Sequence, residues 1–178
     1  MKAMLNVLVG AMLALIVMSG CAFAQGATTP EARLKEKNIV LPQVPPPVAN
    51  YVDAVQVGNL LFLSGNTADA QWKFKGKVGK DMTVQEGYET ARQVGLIMLA
   101  KVRNAVGSLD RVKRVVKVLG MVNSADGFGD QPRVINGFSD LMVEVFGEAN
   151  GKHTRSAVGM AGLPFNNAVE VEMIVEVE

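Results

Sequence analysis

The run from Val169 to Glu178, Val-Glu-Val-Glu-Met-Ile-Val-Glu-Val-Glu, alternates with a period of two. Successive side chains of a strand leave opposite faces, so this run reads as a half-buried strand. Val169, Val171, Met173, Val175 and Val177 point toward a core. Glu170, Glu172, Ile174, Glu176 and Glu178 point away from it. The chain must therefore build a sheet with one covered face and one open, acidic face. Glu176 and Glu178 read as solvated, whereas Glu170 lies beside the preceding turn, where a polar site would gather.

Two segments carry the helical period needed to cover such a sheet. Thr83-Val-Gln-Glu86 is a capping box, in which the Thr hydroxyl and the Glu carboxylate satisfy each other's end amides. Behind it Val84, Tyr88, Ala91, Met98, Val102 and Val106 form a core-facing stripe. Residues 130–147 repeat the pattern with Val134, Phe138, Leu141, Met142, Val145 and Phe146. Short strands are predicted around Val52–Val57 and Leu60–Ser64, a lysine-rich edge strand over Lys73–Val78, and a β-branched strand over Val112–Val122. Thr29-Pro30-Glu31 starts a short helix that ends near Asn38. The proline-rich stretch Leu41–Val48 must be extended, as a linker or as an arm laid across the domain. The order β-β-(β)-α-β-α-β-β predicts an α+β fold with two helices on one face of a mixed or antiparallel sheet.

The N-terminus reads as a cleavable export signal over residues 1–24. Lys2 supplies the positive start, Met4–Met18 is apolar and shorter than the roughly 20 residues of a membrane span, and Ala22-Phe23-Ala24 is a small-x-small cleavage site. Met18-Ser19-Gly20-Cys21 is an imperfect lipobox, so a secreted or periplasmic protein has the alternative of a lipid anchor at Cys21. Either cut leaves the domain without a cysteine nucleophile or an internal disulfide, and without a transmembrane segment. Residues 25–50 then form an N-terminal extension and 51–178 the main domain. Loss of Lys2 from 18 basic residues leaves 17 against 17 acidic ones. That balance argues against nucleic acid as the partner, because phosphate binding needs a basic excess. The cations at Lys101, Arg103, Arg111, Lys113, Arg114 and Lys117 read as a solvated face.

Leu163-Pro-Phe-Asn-Asn167 is expected to turn a hairpin between Thr154–Ala161 and Ala168–Glu178. With the turn centred on residue 165, Arg155 lies opposite residue 175, about five residues and on the order of 16 Å from Glu170. One chain's hairpin cannot bring the two together. If both serve one site, it lies between subunits.

Thr154-Arg-Ser-Ala-Val-Gly-Met-Ala-Gly-Leu-Pro164 followed by Val169-Glu-Val-Glu172 resembles the signature of the Rid family, the YjgF-like group often labelled endoribonuclease L-PSP. Ala49-Asn50-Tyr51, Leu63-Ser64-Gly65 and Asn136 match in order, so the resemblance spans roughly residues 48–178. The Pro-Pro-Pro-Val-Ala-Asn-Tyr lead-in resembles a bacterial sub-branch with an N-terminal extension. The resemblance implies a chorismate-mutase-like α+β fold, assembled as a homotrimer with clefts at the subunit interfaces. It also implies hydrolysis of reactive enamine or imine acids such as 2-aminoacrylate to 2-keto acids and ammonia, with no metal or organic cofactor.

On that resemblance Arg155 holds a substrate carboxylate through a bidentate fork. Glu170 positions or deprotonates the attacking water. Tyr51, Ser64, Asn136 and the Gly65 amide orient water and substrate. Each has a plainer reading: an interface ion pair for Arg155, turn and helix polar roles for Ser64 and Asn136, packing of the proline arm for Tyr51. The chain departs from the family at Ala157, where Cys is common, at Gly159, where Glu is frequent, and at Asn66, where Gln is usual. His153, in a Gly-Lys loop, is expected to be exposed, with gating of the cleft as the lesser alternative. A non-catalytic binder of small carboxylates is the main alternative on the same scaffold. A ribonuclease fits poorly with zero net charge and one loop-placed histidine, and a holdase role requires closed clefts.

Overall fold

A computed structural model describes residues 28–178 apart from 45, 46 and 48. The export signal and Cys21 lie outside the described residues. The elements run α1 (Pro30–Glu36), β1 (Ala54–Val57), β2 (Leu60–Thr67), α2 (Val84–Val106), β3 (Val112–Asn123), α3 (Gln131–Phe146), α4 (Glu148–Gly151), β4 (Thr154–Met160) and β5 (Val169–Val177). They form one five-stranded mixed sheet in the order β1-β2-β5-β3-β4, with α2 and α3 on one face.

Local chemistry sets the helix ends as expected. The Thr83 hydroxyl accepts from the Glu86 amide at 3.2 Å, and Glu86 Oε2 accepts from the Thr83 amide at 2.8 Å. At α1 the Thr29 hydroxyl accepts from the Ala32 amide at 3.3 Å, with Pro30 at the first helical position. The core lies between the sheet and the two long helices: Met98, Leu99, Ile135, Phe138, Leu141, Met142 and Met173 are fully buried. On β5 Val169, Val171, Met173, Val175 and Val177 are all buried, so the period-two pattern sends its apolar side to the helices.

The extension is packed against the domain. Glu31 takes a two-pronged bond from Arg103, at 2.9 Å to Nε and 2.6 Å to Nη2, and also accepts from the Leu109 amide at 3.0 Å. Leu34 is buried, and Ile39 and Leu41 pack on the core. The start of the proline-rich stretch is therefore an arm laid across the domain. Among the described residues no helix is long and apolar enough to cross a membrane.

Two expectations fail. Residues 73–78 form no strand; Lys75 and Val78 make only isolated bridges. The segment is instead tied down by its lysines. Lys77 Nζ donates to Asn123 Oδ1, Ser124 O and Ala161 O at 3.1, 3.1 and 2.8 Å, and Lys75 Nζ to Asn167 Oδ1 at 2.6 Å.

The predicted hairpin also fails, because β4 and β5 do not pair. β3 lies between them, parallel to β4 and antiparallel to β5. The cause is α3: a helix joining two strands returns the chain to its starting end, so β4 enters parallel to β3. Arg155 and Met173 are then register partners of the same residue, Val118. Val118 and Met173 are both buried beneath the helices, so Arg155 emerges on the helix side. Glu170, three residues before Met173, emerges on the open side. Two strand spacings and three residues put the two Cα atoms about 14 Å apart. The separation inferred from the hairpin survives, on a different topology and with the sheet itself between the side chains.

Candidate functional site

The acidic half of the site is built where β2 meets the start of β5. Asn66 pairs with Val171 and Thr67 with Glu170, and the register slips between Leu63 and Asn66. Such a slip is a β-bulge, which bends the strand and re-aims its side chains. Asn66, itself buried, locks the bulge by donating from Nδ2 to the Ser64 carbonyl at 2.6 Å. Gly65, inside the bulge, lies against the Glu170 carboxylate: a Cβ built at 65 would overlap Glu170 Oε1. The missing side chain is what lets the carboxylate lie over the backbone.

Glu170 is half-buried, and its pKa is raised above the ordinary 4.5, first by burial and then by the like charge of Glu172 on the same face. A carboxylate raised in this way is a stronger base near neutral pH.

Ser64 precedes Gly65 on β2, and Tyr51 lies with it in a concavity beside this point. The Ser64 hydroxyl donates to the Val52 carbonyl at 2.7 Å and its amide to the Asp53 carbonyl at 3.0 Å, which pins the residues after Tyr51 to β2. The Tyr51 side chain is 53% exposed. Tyr51 and Ser64, with Phe62, Lys117, Leu119 and Glu172, line a concavity of about 480 Å³ on the open face of the sheet.

The cationic half lies at the opposite edge of the sheet, on the other face. Arg155 Nη1 donates to Asn136 Oδ1 and to Ser139 Oγ, both at 2.9 Å, and Nη2 lies 3.4 Å from the Pro132 carbonyl. Asn136 and Ser139 are one turn apart on α3, so both reach the same guanidinium.

Ser139 was missed from sequence, where His153 reads as an exposed loop residue. His153 is half-buried, not exposed: Nε2 lies 3.1 Å from Ser139 Oγ, and Nδ1 lies 2.7 Å from the Gly151 carbonyl. Its ring meets Phe138 edge-on at 6.5 Å. The i, i+3 pair of polar residues beside an apolar stripe was the available signal for Ser139. No local signal places residue 153 against residue 139.

The departures from the family pattern acquire physical reasons. A Cβ at Gly159 would stand 2.8 Å from Gln131 Nε2 and 3.1 Å from Ser124 Oγ, so Gln131 occupies the room a side chain there would need. Gln131 is held by its bond to the Phe128 carbonyl at 2.7 Å. Ala157 is partly buried against the core.

One chain therefore sets Gly65 against Glu170, places Tyr51 and Ser64 in a neighbouring concavity that Glu172 lines, and holds Arg155 with Asn136 elsewhere, without joining the two halves.

Comparison with known proteins agrees with this architecture. A protein of Trypanosoma cruzi, TCP17, is 45% identical over 147 residues, covering 82% of this chain and 92% of its own. A 2-iminobutanoate/2-iminopropanoate deaminase of Dermatophagoides farinae is 33% identical over 145 residues, covering 79% and 95%. The crystal structure of Atu1372 from Agrobacterium tumefaciens superposes with a TM-score of 0.75 at 41% identity, over 84% of this chain and 92% of that one. The model of the family described as "YjgF/chorismate_mutase-like, putative endoribonuclease" matches residues 31–177. From α1 to the last residue of β5, this chain belongs to the YjgF/chorismate mutase-like family.

Proposed function

We propose that the protein hydrolyses reactive enamine or imine acids, of the 2-aminoacrylate type, to 2-keto acids and ammonia. The cleft is formed in a homotrimer by Arg155 of one subunit and Glu170 of the next. The observation that carries the reading is the pairing of a base-like, half-buried carboxylate with a guanidinium held on the other face of the same sheet. A flat sheet cannot fold its two faces together, so a single cleft with both groups needs two copies.

The open face supports such an assembly. Val55, Phe62 and Val158, with Tyr51 at its rim, are each more than a third exposed, and they continue through Leu119 and Ile174. An apolar face of this kind is a surface for association. A relative named as an imine deaminase at 33% identity supports the chemistry.

Each group then has a task. The guanidinium binds the substrate carboxylate and orients the C=N bond. Glu170 accepts a proton as water adds to the imine carbon. Glu170 returns that proton to the nitrogen to give the neutral carbinolamine. It then carries the hydroxyl proton to the same nitrogen as the C–N bond breaks, so ammonia leaves and the carbon–oxygen double bond forms. One water is consumed, and the products are one keto acid and one ammonia. Tyr51, Ser64, Gly65 and Asn136 border the path. Asn136 acts on the guanidinium directly, whereas the Ser64 hydroxyl is already given to Val52 and serves the shape of the bulge.

Residues 1–24 carry this activity outside the cytoplasm in the same reading. A periplasmic enzyme meets few intermediates of cytoplasmic amino-acid metabolism, so its substrate is an imine formed near it.

The test is release of keto acid and ammonia from enzymatically generated 2-aminoacrylate. Acceleration over buffer that is lost in Glu170→Gln and in Arg155→Ala is the expected result. Rates no faster than buffer, with a small carboxylate still bound, would assign the protein as a binder instead. RNA cleavage surviving both substitutions would revive the ribonuclease label.

A further inference from the structure

The guanidinium of Arg155 is the head of a hydrogen-bond chain that ends on the only histidine in the sequence. The chain has a fixed direction. The Gly151 carbonyl can only accept, so the 2.7 Å bond to His153 Nδ1 requires the hydrogen on Nδ1. A neutral imidazole has one N–H, which leaves Nε2 bare as an acceptor. The Ser139 hydroxyl must then donate to Nε2 across 3.1 Å, and its lone pairs turn toward Arg155 Nη1 at 2.9 Å.

The second hydrogen of Nη1 goes to Asn136 Oδ1 at 2.9 Å, so Nη1 is fully used. Nη2 makes one long contact, 3.4 Å to the Pro132 carbonyl. Nε makes no hydrogen bond among the described residues. The Nε–Nη2 edge, the side-on fork that fits a carboxylate bidentately, is the edge left over.

We propose that His153 and Ser139 are positioning residues, which hold the guanidinium of Arg155 so that its Nε–Nη2 edge is presented to the substrate carboxylate. The inference rests on the reading of Arg155 as the carboxylate-binding group and says how that group is aimed. A serine hydroxyl without an acceptor turns its hydrogen elsewhere, and its lone pairs turn with it. His153 removes that freedom.

The surroundings of the ring favour its neutral form. α3 presents Phe138 and Ser139 to it, β4 presents Arg155, and α4 presents the Gly151 carbonyl. Lys152, the next residue in the chain, is paired with Glu148, and Asp140 accepts from the Tyr88 hydroxyl. Burial lowers the pKa of the ring, the Gly151 bond opposes this, and the Arg155 charge lowers it further.

The experiment has two arms on the same full chain. In the first, nitrogen-15 NMR of the single histidine at about pH 8 reads its tautomer, and a titration reads its midpoint with and without Arg155→Ala. The expected result is the Nδ1–H tautomer, with a midpoint that rises when the guanidinium is removed. An Nε2–H or averaged pattern overturns the chain, whatever reaction the protein catalyses.

In the second arm, Ser139→Ala and His153→Phe each raise KM about tenfold, the effect of losing one bond to a charged group, with kcat within about twofold. His153→Gln, which keeps an acceptor within reach of Ser139, restores most of the affinity. The double variant is no worse than either single one, as expected for members of one unit. Unchanged KM in both single variants, or additive losses in the double, overturns the proposal. If Arg155→Ala itself leaves KM unchanged, the carboxylate reading of Arg155 fails and this inference with it, while the first arm still decides whether the chain exists.

Discussion

The two halves of the candidate site are built on opposite plans. Arg155 arrives already partnered: Asn136 and Ser139 take both hydrogens of Nη1, and His153 stands behind Ser139. Glu170 has no counter-charge among the described residues and is half-buried beside Gly65, with the like charge of Glu172 on the same face. The cation is fixed by neutral bonds within its own chain, so its geometry is set without a partner. The carboxylate is held in a state that opposite charge would relieve. The comparison indicates which half is rigid scaffold and which half is chemically poised.

The comparison breaks hardest at Glu170. Replacing it with Gln keeps the shape and removes the base, and kcat should fall by about 10²–10⁴-fold with little change in KM, measured as keto acid formation. Retention of more than a tenth of the rate would remove Glu170 from the base role. Arg155 should fail differently. Arg155→Ala is expected to raise KM by about 100-fold or more, and Arg155→Lys to recover little of it, because an ammonium cannot reproduce the two-pronged edge.

A mixing experiment tests the proposed split of the site between subunits. Arg155→Ala and Glu170→Gln chains are each nearly inactive alone. Co-refolded in equal amounts as trimers, they should regain about a quarter of the wild-type rate, since each mixed trimer contains one interface with both native groups. No recovery, with mixed trimers shown by native mass spectrometry, would return both groups to a single chain.

The smallest effects are in pH. A raised carboxyl pKa means that the folded state binds the proton more tightly than the unfolded one, so stability declines as pH rises from 4.5 through the folded value. Glu170→Gln should therefore melt slightly higher than wild type at neutral pH, and the difference should vanish in acid. The acid limb of kcat should follow the same group: activity is lost as pH falls through its raised pKa. Glu172→Gln, which removes the like charge, should move that limb to lower pH without changing the plateau. An unmoved limb would show that burial alone sets the shift.

Much of the layer architecture was legible in the sequence, because it rests on local chemistry. The capping box at Thr83, the proline at the first position of α1, the apolar stripes of α2 and α3 and the alternation of β5 all express periods and end groups that need only near neighbours. The same alternation placed Glu170 on the open face. The Arg-Ser and Val-Glu-Val-Glu motifs carried the family resemblance, and with it the candidate site residues.

Pairing was not legible. Period-two alternation says which face a residue takes but not which strand lies beside it. The short link from β4 to β5 therefore read as a hairpin, when α3 had already turned β4 parallel to β3 and left β5 the slot between β2 and β3. The lysines of residues 73–78 misled for a related reason, since their partners Asn123, Ala161 and Asn167 lie 46 or more residues away.

The sequence by itself determined the two faces of the sheet, the helices that cover one of them and the two charged groups. Only the tertiary structure decided that those groups emerge on opposite faces about 14 Å apart, and that His153 stands behind the guanidinium. Facing follows from the backbone period of each element alone. Adjacency depends on which distant segments pack together, and no local pattern encodes that.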